Sequence, residues 1–200
     1  MRRAKSFNRV GAYAGMLVWC GAVGLAGTPT AYAQPADISA TVSGARNIGG
    51  ARLSVWGFQV YDARLWTEPS FTAESYLQRS FALEINYLRN VSGESIADSS
   101  LKEMRGIGSM TQAQADKWLT DMRKLFPDVK KGDRLVGIYK PGMGALFTLN
   151  GQPAGEVRDT EFATLFFGIW LSPKTSKPQM RLQLLGQASS TASDMRSTTP

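Results

Sequence analysis

The chain has 200 residues, 23 Lys and Arg against 16 Asp and Glu, a formal net charge of +7, and no His. Its one Cys, Cys20, falls within the first 33 residues, so the chain beyond them offers neither imidazole nor thiol. That excludes a Ser-His-Asp triad, a Cys nucleophile, a disulfide framework and a zinc site built on His or Cys.

Residues 1–33 read as a secretory signal peptide. Arg2, Arg3, Lys5 and Arg9 form a basic start, Gly11 to Gly27 is small and apolar without a charge, and Ala31-Tyr32-Ala33 is an A-x-A cleavage site. The bulky Trp19 before Cys20 argues against lipoprotein processing. The expectation is export to the periplasm, a cut after Ala33, and no membrane span in the processed chain. Four basic residues and no acid leave with the segment, so 19 remain against 16, a net of +3. A nucleic-acid partner thereby loses its electrostatic support. About 150 ordered residues suffice for one core and a single domain.

Residues 34–48 are rich in Ala, Ser and Gly and read as a flexible lead-in with a short edge strand, broken by Gly49-Gly50. From Arg52 to Trp66 runs the longest β-like stretch, rich in Val, Trp, Phe, Tyr and Leu. Two readings of it are open. In one, Trp56-Gly57 is a two-residue turn, with Gly supplying a positive φ. Val55 would then face Phe58, Ser54 Gln59, Leu53 Val60, and Arg52 Tyr61, converging a guanidinium and a phenol into a clamp for a carboxylate or enolate. In the other the strand is straight or bulged, and Arg52 is salt-bridged at a sheet edge.

Pro69-Ser70 ends this run, and Phe71 to Ser80 reads as a loop with a helical turn. Phe81 to Arg89 alternates, with Phe81, Leu83, Ile85 and Tyr87 on one face, and predicts a half-buried strand. Tyr87 is either a core Tyr satisfied at the rim or a cleft phenol. A helix begins at Ser92 or Gly93, carries Ile96, Leu101, Met104 and Ile107 on one stripe, and ends at Gly106 to Gly108. Thr111 to Gln114 forms a capping box for a second helix, whose stripe is Trp118, Leu119, Met122, Leu125 and Phe126 before Pro127.

Strands follow at Arg134–Lys140, Ala145–Leu149 and Gln152–Val157, with a turn at Pro141 to Gly144 and a hairpin at Asn150-Gly151. Asp159-Thr160 caps a strongly amphipathic helix that Pro173 ends, and Pro178 opens a last helix that Gly186 caps. Residues 187–200 read as a disordered tail. No P-loop, dinucleotide fingerprint, EF-hand loop or internal repeat is present, so no cofactor and no metal are expected.

The order of Gly50-Ala-Arg52, Val60-Tyr61 to Leu65-Trp66, Leu83-x-Ile85-x-Tyr87, Leu146 to Gly151 and Phe166 to Pro173 resembles the chalcone isomerase-like superfamily in its secreted bacterial branch. The resemblance spans about Gly49 to Gly186. It implies an α+β fold, an antiparallel β-sheet packed against a helical layer with a ligand cleft between them (an open-faced β-sandwich). Within that superfamily plant enzymes hold an oxygen anion with an Arg near the start of this hairpin. Related fatty-acid-binding members hold a carboxylate with a corresponding Arg and a Tyr. Arg52 matches the Arg and Tyr61 the Tyr, while the plant enzymes' catalytic Thr, Tyr and Asn have no clear counterpart here. Three functions follow from residues and resemblance together. They are a binder of a small amphipathic acid through Arg52, Tyr61 and Tyr87, an intramolecular lyase that stabilises an oxyanion, and a non-catalytic scaffold.

Overall fold

A computed structural model describes residues 35–187. The expected signal peptide and cleavage site of residues 1–33, and the expected tail from residue 188, lie outside the described residues.

The elements are α1 (Ala36–Ser39), β1 (Arg46–Val55), β2 (Phe58–Thr67), a 3-10 turn (Tyr76–Gln78), β3 (Phe81–Tyr87), α2 (Gly93–Ile107) and α3 (Gln112–Leu125). Then come β4 (Arg134–Lys140), β5 (Gly144–Leu149), β6 (Gln152–Val157), α4 (Thr160–Leu171) and α5 (Pro178–Leu184). The six strands form one antiparallel sheet in the order β1-β2-β3-β4-β5-β6. Helices α2 to α5 cover one face, as the α+β reading anticipates.

The local signals act as their chemistry dictates. Thr111 and Gln114 close the reciprocal capping box of α3, and the Asp159 carboxylate accepts from the backbone N–H of Glu161 and Phe162 at the start of α4. Asn150 and Gly151 take φ of 52° and 81°, the left-handed pair that matches hairpin twist. Trp56 and Gly57 do the same at 50° and 83°, so the turn reading of this stretch is the correct one. For Trp56, a side chain with a Cβ, the left-handed conformation costs about 1–2 kcal/mol.

The sheet is covered on both sides, and this corrects two sequence expectations. The stretch before Gly49 is not a loose lead-in. α1 and the turns after it fold under the sheet and bury Ile38, Val42 and Ala45 against Trp66, Ala82, Val136 and Ile138. Gly49-Gly50 lies inside β1 rather than before it. Asp37 clamps this segment down, accepting from Arg134 Nη2 at 2.8 Å and from Thr148 Oγ1 at 2.6 Å. β3 is accordingly buried on both faces, not half-buried. Its Glu84, 2% exposed, is satisfied by Trp66 Nε1 at 2.7 Å and Asn86 Nδ2 at 2.8 Å, with the Arg64 guanidinium at 3.5 Å. The larger core lies on the helical side, where Phe81, Phe147, Phe162, Phe166 and Phe167 pack edge-on or stacked at centroid spacings of 5–6 Å.

Candidate ligand cavity

Two irregularities shape the space between sheet and helices. The first is Gly137 in the middle of β4. A Cβ there would approach Phe167 Cε1 to 3.1 Å and Phe147 Cε1 to 3.2 Å, so these rings close over the strand only because the side chain is missing. The second is a bulge in the first hairpin. Val55 pairs with Phe58 and Ser54 with Gln59, but Leu53 then pairs with Tyr61, leaving Val60 extra. Val60 and Tyr61 both line the space, and so do Leu53 and Val55.

The bulge decides the fate of the predicted clamp. Arg52 pairs with Asp62, not with Tyr61. Successive side chains point to opposite faces, so Arg52 leaves the cavity face that Leu53 occupies. Its Nε and Nη2 donate to the two Asp62 carboxylate oxygens at 2.6 and 2.8 Å, and Nη1 donates to Gln59 Oε1 at 3.1 Å. The Asp62 hydrogen bond raises the guanidinium's pKa, and Arg52 in turn holds the Asp62 carboxyl below the usual range. Arg52 is therefore a surface ion-pair residue on the edge strand and does not line the cavity. The expected convergence of Arg52 and Tyr61 is corrected here.

Tyr61 and Tyr87 do meet. They face each other across β2 and β3 with ring centroids 6.2 Å apart at 76°, and both line a cavity of about 400 Å³. That volume lies within the range of about 300–1,000 Å³ typical of small-molecule sites. The floor is Leu83, Ile85 and Leu135, and the roof is Ile96, Phe166 and Ile169. Tyr61 Oη accepts a hydrogen bond from Trp170 Nε1 at 3.0 Å. A phenol that accepts keeps its own proton to donate. Burial pushes the Tyr61 pKa up to about 12 against the opposing Trp170 hydrogen bond, and burial raises Tyr87 as well. Both phenols are neutral donors at ordinary pH.

The remaining polar lining comes from α2 and from the segment between α4 and α5. Ser95, Ser99 and Glu103 stand four residues apart on α2, one above another. Glu103 Oε2 accepts from Ser176 Oγ at 2.7 Å. Lys177, next in the chain, is the one cationic side chain among the described lining residues. None of these was singled out from sequence. The spacing of Ser95, Ser99 and Glu103 was a visible signal, whereas Trp170 was concealed within an apolar stripe and Lys177 within a loop. No group of three or more acidic, His or Cys side chains that could hold a metal occurs among the described residues.

Residues 47–186 match the family model described as chalcone isomerase-like. The chain belongs to that family. A protein of Haemophilus influenzae, itself uncharacterised, is 31% identical over 144 residues, which cover 72% of this chain and 69% of that protein. The crystal structure of a fatty-acid binding protein of Arabidopsis thaliana superposes with a TM-score of 0.57 at 13% identity, covering 78% of this chain and 94% of the other. At that identity the likeness shows a shared fold: this chalcone isomerase-like protein carries the antiparallel sheet and helical layer of its plant neighbour.

Proposed function

We propose that the protein binds a small amphipathic acid, a fatty acid foremost, with the tail in the apolar cavity and the carboxylate held at its polar wall. The observation that carries this reading is the free proton of Tyr61, oriented by Trp170 inside a largely apolar space with one polar wall. Lys177 supplies a cation at the same cavity. The fatty-acid-binding character of the Arabidopsis protein supports the same ligand class. Proton abstraction by Tyr61 or Tyr87 is disfavoured, because burial holds both phenols protonated and a base must be ionised to act. The reading is thus of a carrier or sequestering protein rather than a lyase. Its setting is the periplasm, on the support of the basic start, apolar stretch and A-x-A site of residues 1–33.

The test is native mass spectrometry of the protein isolated from the periplasmic fraction, followed by organic extraction. A bound acid and a mass beginning at Gln34 are the expected results. Lys177→Met should reduce the acid retained. An empty cavity that also fails to take up added fatty acids would overturn the reading.

A further inference from the structure

Four large apolar side chains are exposed among the described residues, and three of them, Val55, Trp56 and Phe58, form the tip of the first hairpin. Met143, the fourth, sits in the β4–β5 turn at the opposite end of the sheet. Trp56 is 94% exposed and Phe58 65%. Trp56 also takes a left-handed conformation that Asn or Gly would adopt with less strain. An indole at such a position costs both backbone strain and exposed apolar area, so it calls for a partner outside the chain.

The surroundings of the tip are basic. The Arg89 guanidinium lies 5.7 Å from the centroid of the Phe58 ring. The neighbouring residue, Asn90, accepts from the backbone N–H of Lys131, which brings Lys130 and Lys131 to the same end of the sheet. Three carboxylates stand nearby, Asp62, Asp128 and Asp133, against the four cations Arg52, Arg89, Lys130 and Lys131, which leaves one positive charge in excess. Asp62 holds Arg52, Asp128 accepts from Gly93 N–H, and Asp133 accepts from Lys130 N–H and Asn150. Trp beside Arg and Lys is the composition that settles at the headgroup level of a bilayer, with the indole in the interface and the cations on anionic headgroups. The cavity reaches this tip through Val55 and Val60.

We infer that the Val55-Trp56-Gly57-Phe58 hairpin tip docks into an anionic lipid surface, inserting Trp56 at the interface while Arg89 and the adjacent lysines meet the headgroups. The inference stands on the hairpin and its charges, and it holds whether or not the cavity takes an acid.

The experiment uses the full chain with phosphatidylcholine vesicles, with and without phosphatidylglycerol, whose acyl chains are brominated near the headgroup. Tryptophan emission of the parent is compared with that of Trp56→Phe. Both share residues 1–33 and the other four Trp, so membrane contact through that segment cancels in the difference. The expected result is a quenched component present in the parent and lost in Trp56→Phe. Arg89→Glu should bind the anionic vesicles about tenfold more weakly. Identical quenching in the parent and Trp56→Phe would overturn the inference. So would a dimer in sedimentation equilibrium that Phe58→Ser abolishes, if it occurs without Trp56-specific quenching, since the tip would then cover a second copy of the chain.

Discussion

Tyr61 stands directly opposite Tyr87 across β2 and β3, and its hydroxyl takes the indole proton of Trp170 at 3.0 Å. Two strands and one helix therefore set the direction of a single phenolic proton. Tyr61→Phe removes that donor while keeping the ring. Affinity for a fatty acid should fall by about 1.5–3 kcal/mol, the worth of a hydrogen bond to a charged group. Isothermal titration of the delipidated protein reads this directly. Equal affinity in the variant would move the carboxylate away from Tyr61.

Arg52→Ala should leave fatty-acid affinity unchanged. The guanidinium is spent on Asp62 and Gln59 at the surface and faces away from the cavity. The same titration checks it, with the melting temperature as a control for folding. A marked loss of binding would mean that the ion pair opens to reach the ligand.

Gly49→Ala tests how tightly α5 is pressed onto the edge strand. A Cβ at Gly49 would overlap the backbone carbonyl oxygens of Gln183 and Leu184. Backbone cannot yield as a flexible side chain can. The variant should lose about 2–4 kcal/mol in urea unfolding. A neutral result would show that α5 moves freely on β1.

Alkaline pH should destabilise the fold from about pH 10 upward. Burial raises the pKa of Tyr61, Tyr76, Tyr87 and Tyr139 above the ordinary value of 10.0. A raised folded-state pKa means the folded state prefers the proton. The contribution is full below pH 10 and declines as pH rises past it; for Tyr61 it is gone by about pH 12. Tyrosinate absorbance followed alongside circular dichroism should show ionisation and unfolding together. Normal titration of all four phenols in a folded protein would contradict the burial described.

Much of the fold was legible because its signals are local. The capping box at Thr111, the Asn150-Gly151 hairpin and the strand at Phe81 to Tyr87 each rest on signals within a few residues, and each element appears where read, though β3 is buried on both faces. The misreadings share a different cause. Val60 is apolar and fits either face of a strand, so nothing in its chemistry announces that it is the extra residue whose insertion turns Arg52 away from Tyr61. The Ala- and Ser-rich stretch before Gly49 is weakly apolar, yet Ile38 and Val42 within it are fully buried because an uncovered sheet face awaits them. That cover comes from a segment remote in sequence, so the alternation within β3 by itself points to a one-sided strand. Trp170 was legible as core and not as a donor, since periodicity reports the body of an indole and not its N–H.

The strand order has a kinetic meaning as well. Every strand of the sheet pairs with its neighbour in sequence; three of the five pairings are closed by tight turns and a fourth, β2 with β3, by the loop that holds the 3-10 turn. The exception is β3 with β4, between which the chain inserts the whole of α2 and α3. Local pairings form early and distant ones late, because the entropy of closing a long loop must be met before its contacts form. The molecule thus assembles as two meanders whose joining waits on a helical hairpin, and that seam runs along the floor of the cavity. Refolding rate should respond most to changes along β3 and β4, and the cavity should be the last part of the structure to take its final shape.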